Sequence, residues 1–317
     1  MRMLIFTSSY RKKLSHALMV ETNKNSNASA AESGIPDTNH TQSIQHLKNQ
    51  ITPSGLSCFL FGNRQKPVIV FLHGFMGSAL DWFPVAQVLA NDFCCLLVDL
   101  PGHGHSCDVL RKDYSMPGCA ASLTRLLDEL HINKTHIVGY SMGGRIGFYL
   151  AVHFPDRFNK IVLESASPGL QSEHERKGRR QRDEALADRL LAEGMEAFLE
   201  FWYKLPLFDS LKSHPGFEKL KSRRTANSPE KLAMSLQEMG TGSMPNLWPG
   251  LQNITNPVLL LTGEQDKKFR RLNTLVQSEI PNCQHKVVAL CGHNVHFEKA
   301  KTYTEFIQNF LTDGGTK

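Results

Sequence analysis

A chain of 317 residues with 41% hydrophobic and 21% charged side chains has the make-up of a folded globular protein with a sizeable core. Its net charge of +6 suits anionic substrates but is too modest to imply nucleic acid, and no apolar run approaches the roughly 20 residues of a membrane-spanning helix. Seven cysteines, with Cys94 and Cys95 adjacent and no CxxC pair, spell neither a zinc motif nor a disulfide framework, so buried free thiols in a reducing compartment are expected.

The first fifty residues stand apart from the rest. Residues 1–20 carry Arg2, Arg11, Lys12 and Lys13 and no acid, and residues 21–50 are rich in Asn, Ser, Thr and Ala. Such a segment buries too little apolar surface to order itself, so residues 1–50 are expected to form a disordered leader. The composition fits an organelle transit peptide, a non-functional extension or a gene-model remnant. It fits a secretory signal poorly, because the apolar stretches MLIF and ALMV are short and separated by charges.

From about residue 56 strand and helix alternate. Short apolar runs at 67–72, 94–99, 135–140, 160–164, 257–262 and 285–290 read as strands. They lack polar alternation, which suits a sheet covered on both faces. An extra strand over 56–62, with an antiparallel setting open to it, precedes them. Amphipathic helices are expected near 79–90, 117–131, 143–154, 270–279 and 299–311. The pattern predicts one α/β domain over 51–317 with a mainly parallel sheet flanked by helices. Between Leu163 and Val258 no strand is evident. Residues 173–204, 215–223 and 229–240 look helical, punctuated by Pro206, Pro215 and Pro229. An insertion there would project over the carboxyl ends of the strands, so residues 168–250 read as a helical cap.

Gly139-Tyr140-Ser141-Met142-Gly143 fits G-x-S-x-G, which chance alone would supply roughly 0.1 times in such a chain. Its setting adds weight, because it follows the strand THIVGY and opens a helix. A sharp strand-to-helix turn of this kind exposes a nucleophilic hydroxyl and needs small neighbours. A serine needs a histidine to take its proton, and the chain order Ser, acid, His directs attention to the last two strands. His293 follows the last and Asp266 the penultimate, with Glu264 as the alternative acid. His296 reads as a local packing residue, and no metal site is expected, since further ligands beside His293 and His296 are lacking. In Phe71-Leu-His73-Gly74-Phe75-Met76-Gly77, the backbone N–H of Phe75 joins that of Met142 as a pair of oxyanion donors. His73, His103 and His105 read as loop-shaping residues.

These segments together resemble the α/β-hydrolase superfamily from about residue 56 onward. A finer resemblance runs through Gly139–Arg145, Glu164-Ser-Ala-Ser-Pro168-Gly169-Leu170, Arg179-Arg180-Gln181-Arg182-Asp183, Phe201-Trp202-Tyr203, Gly263–Phe269 and Gly292–His296. It is to the 2-succinyl-6-hydroxy-2,4-cyclohexadiene-1-carboxylate (SHCHC) synthases of menaquinone and phylloquinone synthesis. The resemblance implies a lyase that eliminates pyruvate without any cofactor, acting on a small polycarboxylate; it leaves open both solitary action and association with other quinone-pathway enzymes. It implies a plastid location if the leader is a targeting signal and a cytoplasmic one if it is not. Arg145 lies one helical turn after Ser141, and guanidinium groups suit carboxylates. The resemblance carries substrate contact to Arg180, with Arg179 as the alternative because the cap alignment slips by one. It carries the same role to Arg224, with Arg223 adjoining, and to the pocket residues Tyr140 and Trp202. A hydrolase of esters or carbon–carbon bonds, and a non-catalytic ligand receptor, are the other readings the triad leaves open.

Overall fold

The computed structural model describes residues 49–106 and 109–312. The expected leader lies outside the described residues except for Asn49 and Gln50, which belong to a short strand. Eight described strands form one sheet: β1 Asn49–Ile51, β2 Ser57–Phe61, β3 Val68–Leu72, β4 Cys94–Val98, β5 Thr135–Tyr140, β6 Phe158–Glu164, β7 Val258–Gly263 and β8 Cys283–Val288. Their order is β1-β2-β4-β3-β5-β6-β7-β8. β1 and β2 pair antiparallel to each other, and β2 antiparallel to β4, while every other pairing is parallel. The sheet is thus the mainly parallel one that the apolar runs imply, with the strand over 56–62 antiparallel. β1 has no counterpart among the expected strands, because its three residues carry no apolar pattern. β8 starts and ends two residues earlier than the apolar run suggests. Its burial is uneven, so hydrophobicity marks its ends poorly.

Unbroken apolar runs result from cover on both faces. Val70 and Leu72 of β3, Ile137 of β5 and Leu260 of β7 face one core. On that side pack the helices α2 Met116–Glu129 and α3 Met142–His153. The alternate residues Ile69, Phe71, Val138 and Leu261 face the other core, under α1 Phe83–Leu89. Pro84 sits in the first turn of α1, so the helix expected over 79–90 divides into a 3-10 turn Ala79–Trp82 and α1. The six described cysteines are unpaired, and all but Cys283 are buried. No helix among the described residues is long and apolar enough to cross a membrane.

The interval between β6 and β7 is helical, with α4 Glu173–Trp202, α5 Asp209–Lys212, α6 Phe217–Arg224 and α7 Pro229–Met239. Gly194, at φ 76° and ψ 178°, breaks α4 into two helices. The cap has a small core of its own. Phe198, Leu199, Tyr203, Phe217, Leu232 and Leu236 pack together, and Met76 from the loop after β3 inserts among them. After β7 follow α8 Lys267–Glu279 and, beyond β8, α9 Val295–Glu298 and α10 Ala300–Thr312. The central strand β3 lies between β4 and β5, so its connections leave in opposite directions. A crevice opens at such a switch point, above the carboxyl ends of the strands.

Candidate active site

The turn after β5 is the sharpest feature of that crevice. Ser141 adopts φ 50° and ψ −103°, a conformation that costs a non-glycine residue on the order of 1–3 kcal/mol. Its surroundings hold it there. The Ser141 N–H donates to the Glu164 carbonyl at 2.9 Å, and the Gly143 N–H to the His73 carbonyl at 3.0 Å. The elbow is thereby fastened to both neighbouring strands. A Cβ on Gly143 would lie 2.1 Å from the Leu72 carbonyl oxygen, and one on Gly139 would lie 2.6 Å from that of Gly143. Both motif glycines are therefore demanded by close backbone approach.

His293 and Asp266 are brought to Ser141 from the ends of β8 and β7. His293 Nδ1 lies 2.6 Å from Asp266 Oδ2, and its Nε2 lies 3.3 Å from Ser141 Oγ. With Nδ1–H donated to the carboxylate, Nε2 can accept the serine proton. Asp266 Oδ1 accepts the Phe269 N–H at 3.1 Å, capping α8. That cap starts the helix three residues before the expected 270. Glu264, the alternative acid, is exposed and accepts the Leu290 N–H instead.

His296 packs and hydrogen-bonds locally. Its Nδ1 lies 2.8 Å from Glu164 Oε2, and its ring stacks on Trp82 with centroids 4.2 Å apart. Glu164 is fully buried at the end of β6, and its Oε1 also accepts the Val295 and His296 N–H groups. It thus pins the loop that carries His293. Sequence reasoning missed it, although a carboxylate ending an apolar strand was the available signal.

The loop after β3 faces Ser141 from the other side. Phe75 and Met142 both line the cavity. Among the described residues neither of their N–H groups has a protein acceptor. His73 shapes this loop as expected: it is buried, with Nδ1 2.7 Å from the Gly74 carbonyl and Nε2 accepting the Leu100 N–H. His103 is buried against the Pro101 carbonyl and His105 faces Asp99, so both belong to the turn.

The cavity over Ser141 measures about 340 Å³. Tyr140 and Trp202 line it, as expected. The Tyr140 ring packs 5.4 Å from that of His293, and burial raises its pKa, keeping the phenol protonated. Trp202 stacks on Phe198 and lies 5.4 Å from Phe75. Four cations also line the wall: Arg145, Arg179, Arg224 and Lys268, against one carboxylate, Asp183. Burial, and then the charge of Arg179, lowers the Arg145 pKa to about 10, which still leaves it charged at neutral pH. Its Nη1 donates to the Met239 carbonyl. Burial and Arg179 likewise lower the Lys268 pKa.

The cap arginines need a correction. Arg180 is absent from the wall; its side chain is 42% exposed, pairs with Glu173 and donates to the Gly242 carbonyl at 3.0 Å. Arg179 takes the inward place, with its Nε 2.8 Å from Asp183 Oδ1. One residue along a helix turns a side chain by about 100° and so separates the two. Arg224 does reach the cavity but is engaged with Asp81, at 2.8 Å from Nη1 to Oδ2. Burial depresses the pKa of this guanidinium, and Asp81 more than restores it. Arg223 stays at the surface, 3.2 Å from the same carboxylate. Lys268 and Asp183 were not singled out in the sequence, although they lie within the motifs Gly263–Phe269 and Arg179–Asp183.

A family model for the α/β hydrolase fold matches residues 67–300. A Bacillus subtilis (strain 168) protein, provisionally named a 2-succinyl-6-hydroxy-2,4-cyclohexadiene-1-carboxylate synthase, is 37% identical over 254 residues, or 79% of this chain and 92% of that protein. The Photorhabdus laumondii synthase of the same name is 33% identical over 79% of this chain and 87% of its own. Protein PHYLLO, chloroplastic, of Arabidopsis thaliana is 31% identical over 79% of this chain, which spans only 16% of that larger protein. The structure of MenH from S. aureus superposes with a TM-score of 0.77 at 33% identity, covering 81% of this chain and 98% of the other.

Proposed function

The chain belongs to the α/β-hydrolase fold family and, within it, to the SHCHC synthases, and we propose that its Ser141, His293 and Asp266 carry out that family's elimination. The substrate is 2-succinyl-5-enolpyruvyl-6-hydroxy-3-cyclohexene-1-carboxylate. His293 Nε2 takes the Ser141 proton, and the serine oxygen removes a proton from a ring carbon. The electron pair moves into the ring to form the diene, the carbon–oxygen bond to the enolpyruvyl group breaks, and the group leaves as an enolate, which takes the proton held on His293 and becomes pyruvate. The N–H groups of Phe75 and Met142 stabilise the charge that develops on the succinyl carbonyl. A positioned base contributes roughly 10²–10⁴ in rate. No water enters the reaction.

The observation that carries this reading over an ester hydrolase is the placement of Arg145 and Arg179 in the wall of the Ser141 cavity. Planar guanidinium groups bind carboxylates through two parallel hydrogen bonds, and the substrate is a tricarboxylate. A neutral ester would gain nothing from them. Lys268 adds to the same positive field. The test is pyruvate release from the tricarboxylate by the purified protein. Turnover of a small neutral ester with no pyruvate released would move the protein to the hydrolases.

A plastid location rests on two supports: the basic, acid-poor composition of residues 1–20 and the likeness to a chloroplastic relative. In that compartment association with other quinone-pathway enzymes would keep the intermediate from diffusing away. Fusing residues 1–50 to a fluorescent reporter should direct it to plastids. A purely cytosolic signal would end this assignment.

A further inference from the structure

The loop that carries the Phe75 donor is not held by the sheet alone. Met76 sits at φ 61°, a left-handed conformation that costs a non-glycine residue energy, and no glycine relieves it. Its side chain is 1% exposed and packs in the core of the cap. Its carbonyl accepts a hydrogen bond from Asn227 Nδ2, just beyond α6, at 3.0 Å. Five residues on, Asp81 is 7% exposed and meets the cap a third time. Its Oδ2 accepts the Ser78 N–H at 3.2 Å and closes the loop on itself. The same carboxylate receives Arg224 Nη1 at 2.9 Å and 2.8 Å on its two oxygens, and Arg223 at 3.2 Å. Arg224 shares the cavity wall with Tyr203. Burial alone would raise the Asp81 carboxyl, but Arg224 and Arg223 outweigh it and hold it down at about 2, so the pair is charged at any working pH.

We infer that Asp81 is a positioning residue: with Asn227 it latches the cap to the loop after β3 and so fixes the Phe75 N–H at the oxyanion position. The inference rests on the assignment of Phe75 as a donor. It gives Arg224 a task distinct from substrate contact, since its charge is already met by Asp81. A buried ion pair broken on one side leaves an uncompensated charge, and here that charge sits beside a strained turn which the pair helps to retain. The donor itself is untouched by any change at Asp81, so what is lost is its aim.

A neutral fluorophosphonate reads the oxyanion site without involving substrate carboxylates. Its phosphoryl oxygen gains negative charge as Ser141 attacks, and it carries no group for the arginines. In Asp81→Asn, which keeps an acceptor for the Ser78 N–H, the labelling rate of Ser141 should fall about tenfold or more. The kcat for pyruvate release should fall in parallel, with KM within about twofold of the wild type. Asn227→Ala, which removes the bond to Met76 without touching a charge, should act in the same direction and decides the matter if Asp81→Asn does not fold. Labelling at the wild-type rate in the folded variants would overturn the inference, whatever happens to pyruvate release, since any loss would then arise in substrate binding. A wild-type protein that labels but releases no pyruvate would refute the proposed reaction and leave the labelling comparison to decide the latch.

Discussion

At the scale of single residues, the triad was legible because each member follows a strand in a fixed chain order, and strand ends are read from apolar runs. Ser141→Ala and His293→Ala should each lower kcat by at least about 10³ with little change in Tm, because the members act as a unit. Asp266→Asn should cost less, since it spares both the nucleophile and the base. Near-normal turnover in either of the first two would remove the assignment. The cap arginines were only half legible: the motif located the pair, but which of two adjacent residues points inward is a matter of helix phase. Arg145→Ala and Arg179→Ala should each lose about tenfold to a hundredfold in kcat/KM on the tricarboxylate, as charge-assisted hydrogen bonds worth about 1.5–3 kcal/mol disappear. Lysine should rescue neither fully, because it lacks the planar fork. Arg180→Ala should stay within about twofold, since its partners are Glu173 and a carbonyl. Equal losses at positions 179 and 180 would show that the inward and outward places do not matter. The pairings of Glu164 and Asp81 were illegible for a different reason, although the place of Glu164 at the end of an apolar strand marked it as a candidate. Their partners, His296 and Arg224, lie 132 and 143 residues away, and no local pattern records such pairings.

Elements were legible where their ends carry chemistry. α3 begins where G-x-S-x-G says it should, and α7 begins at Pro229 after a serine cap that accepts the Lys231 N–H. The long helix over 173–204 hid its break, because Gly194 carries no signal apart from being glycine. Glycine has two meanings along this chain, and substitution separates them. A Cβ on Gly143 would press on the backbone of β3, which cannot yield without disturbing the central strand. Gly143→Ala should therefore lower stability by about 1–3 kcal/mol and displace Ser141, with a fall in kcat. Gly178 in α4 meets nothing within 4 Å and has an ordinary helical backbone. Gly178→Ala should raise stability by about 0.5–1 kcal/mol and leave turnover alone. Thermal melts and kcat on the two variants check the contrast; a stable, active Gly143→Ala protein would contradict the close packing of elbow on strand.

For the whole molecule, the α/β architecture and the inserted cap were legible, because unbroken apolar strands require cover on both faces and one long strandless interval requires an insertion. What the sequence could not disclose is which polar groups the two cores enclose, and these set the response to acid. His103 is 0% exposed, packed against the rings of His73 and Phe75, and burial followed by His73 pushes its pKa down to about 3. His136, the second residue of β5, packs against Phe93 and is 7% exposed, and burial followed by the charge of Lys160 lowers its pKa to about 4. An unfolded histidine takes up a proton near pH 6.5. Above that pH both states are neutral at these rings and the stability is fully present. Below it the unfolded chain binds protons that the folded chain refuses, so stability falls with pH until the folded pKa is reached. Each ring should cost about 1.4 kcal/mol per pH unit once the pH is well below 6.5, over a window reaching down to about 4 for His136 and about 3 for His103. Urea denaturation at pH 7.5, 5.5 and 4.5 should show the midpoint dropping steadily, with most of the fall below pH 6. His136→Phe, which keeps a ring against Phe93 but cannot titrate, should flatten that slope by one histidine's share. Equal midpoints at pH 7.5 and 4.5 would mean that both rings accept a proton in place, and that the surroundings of these strand and loop histidines are wetter than their burial implies.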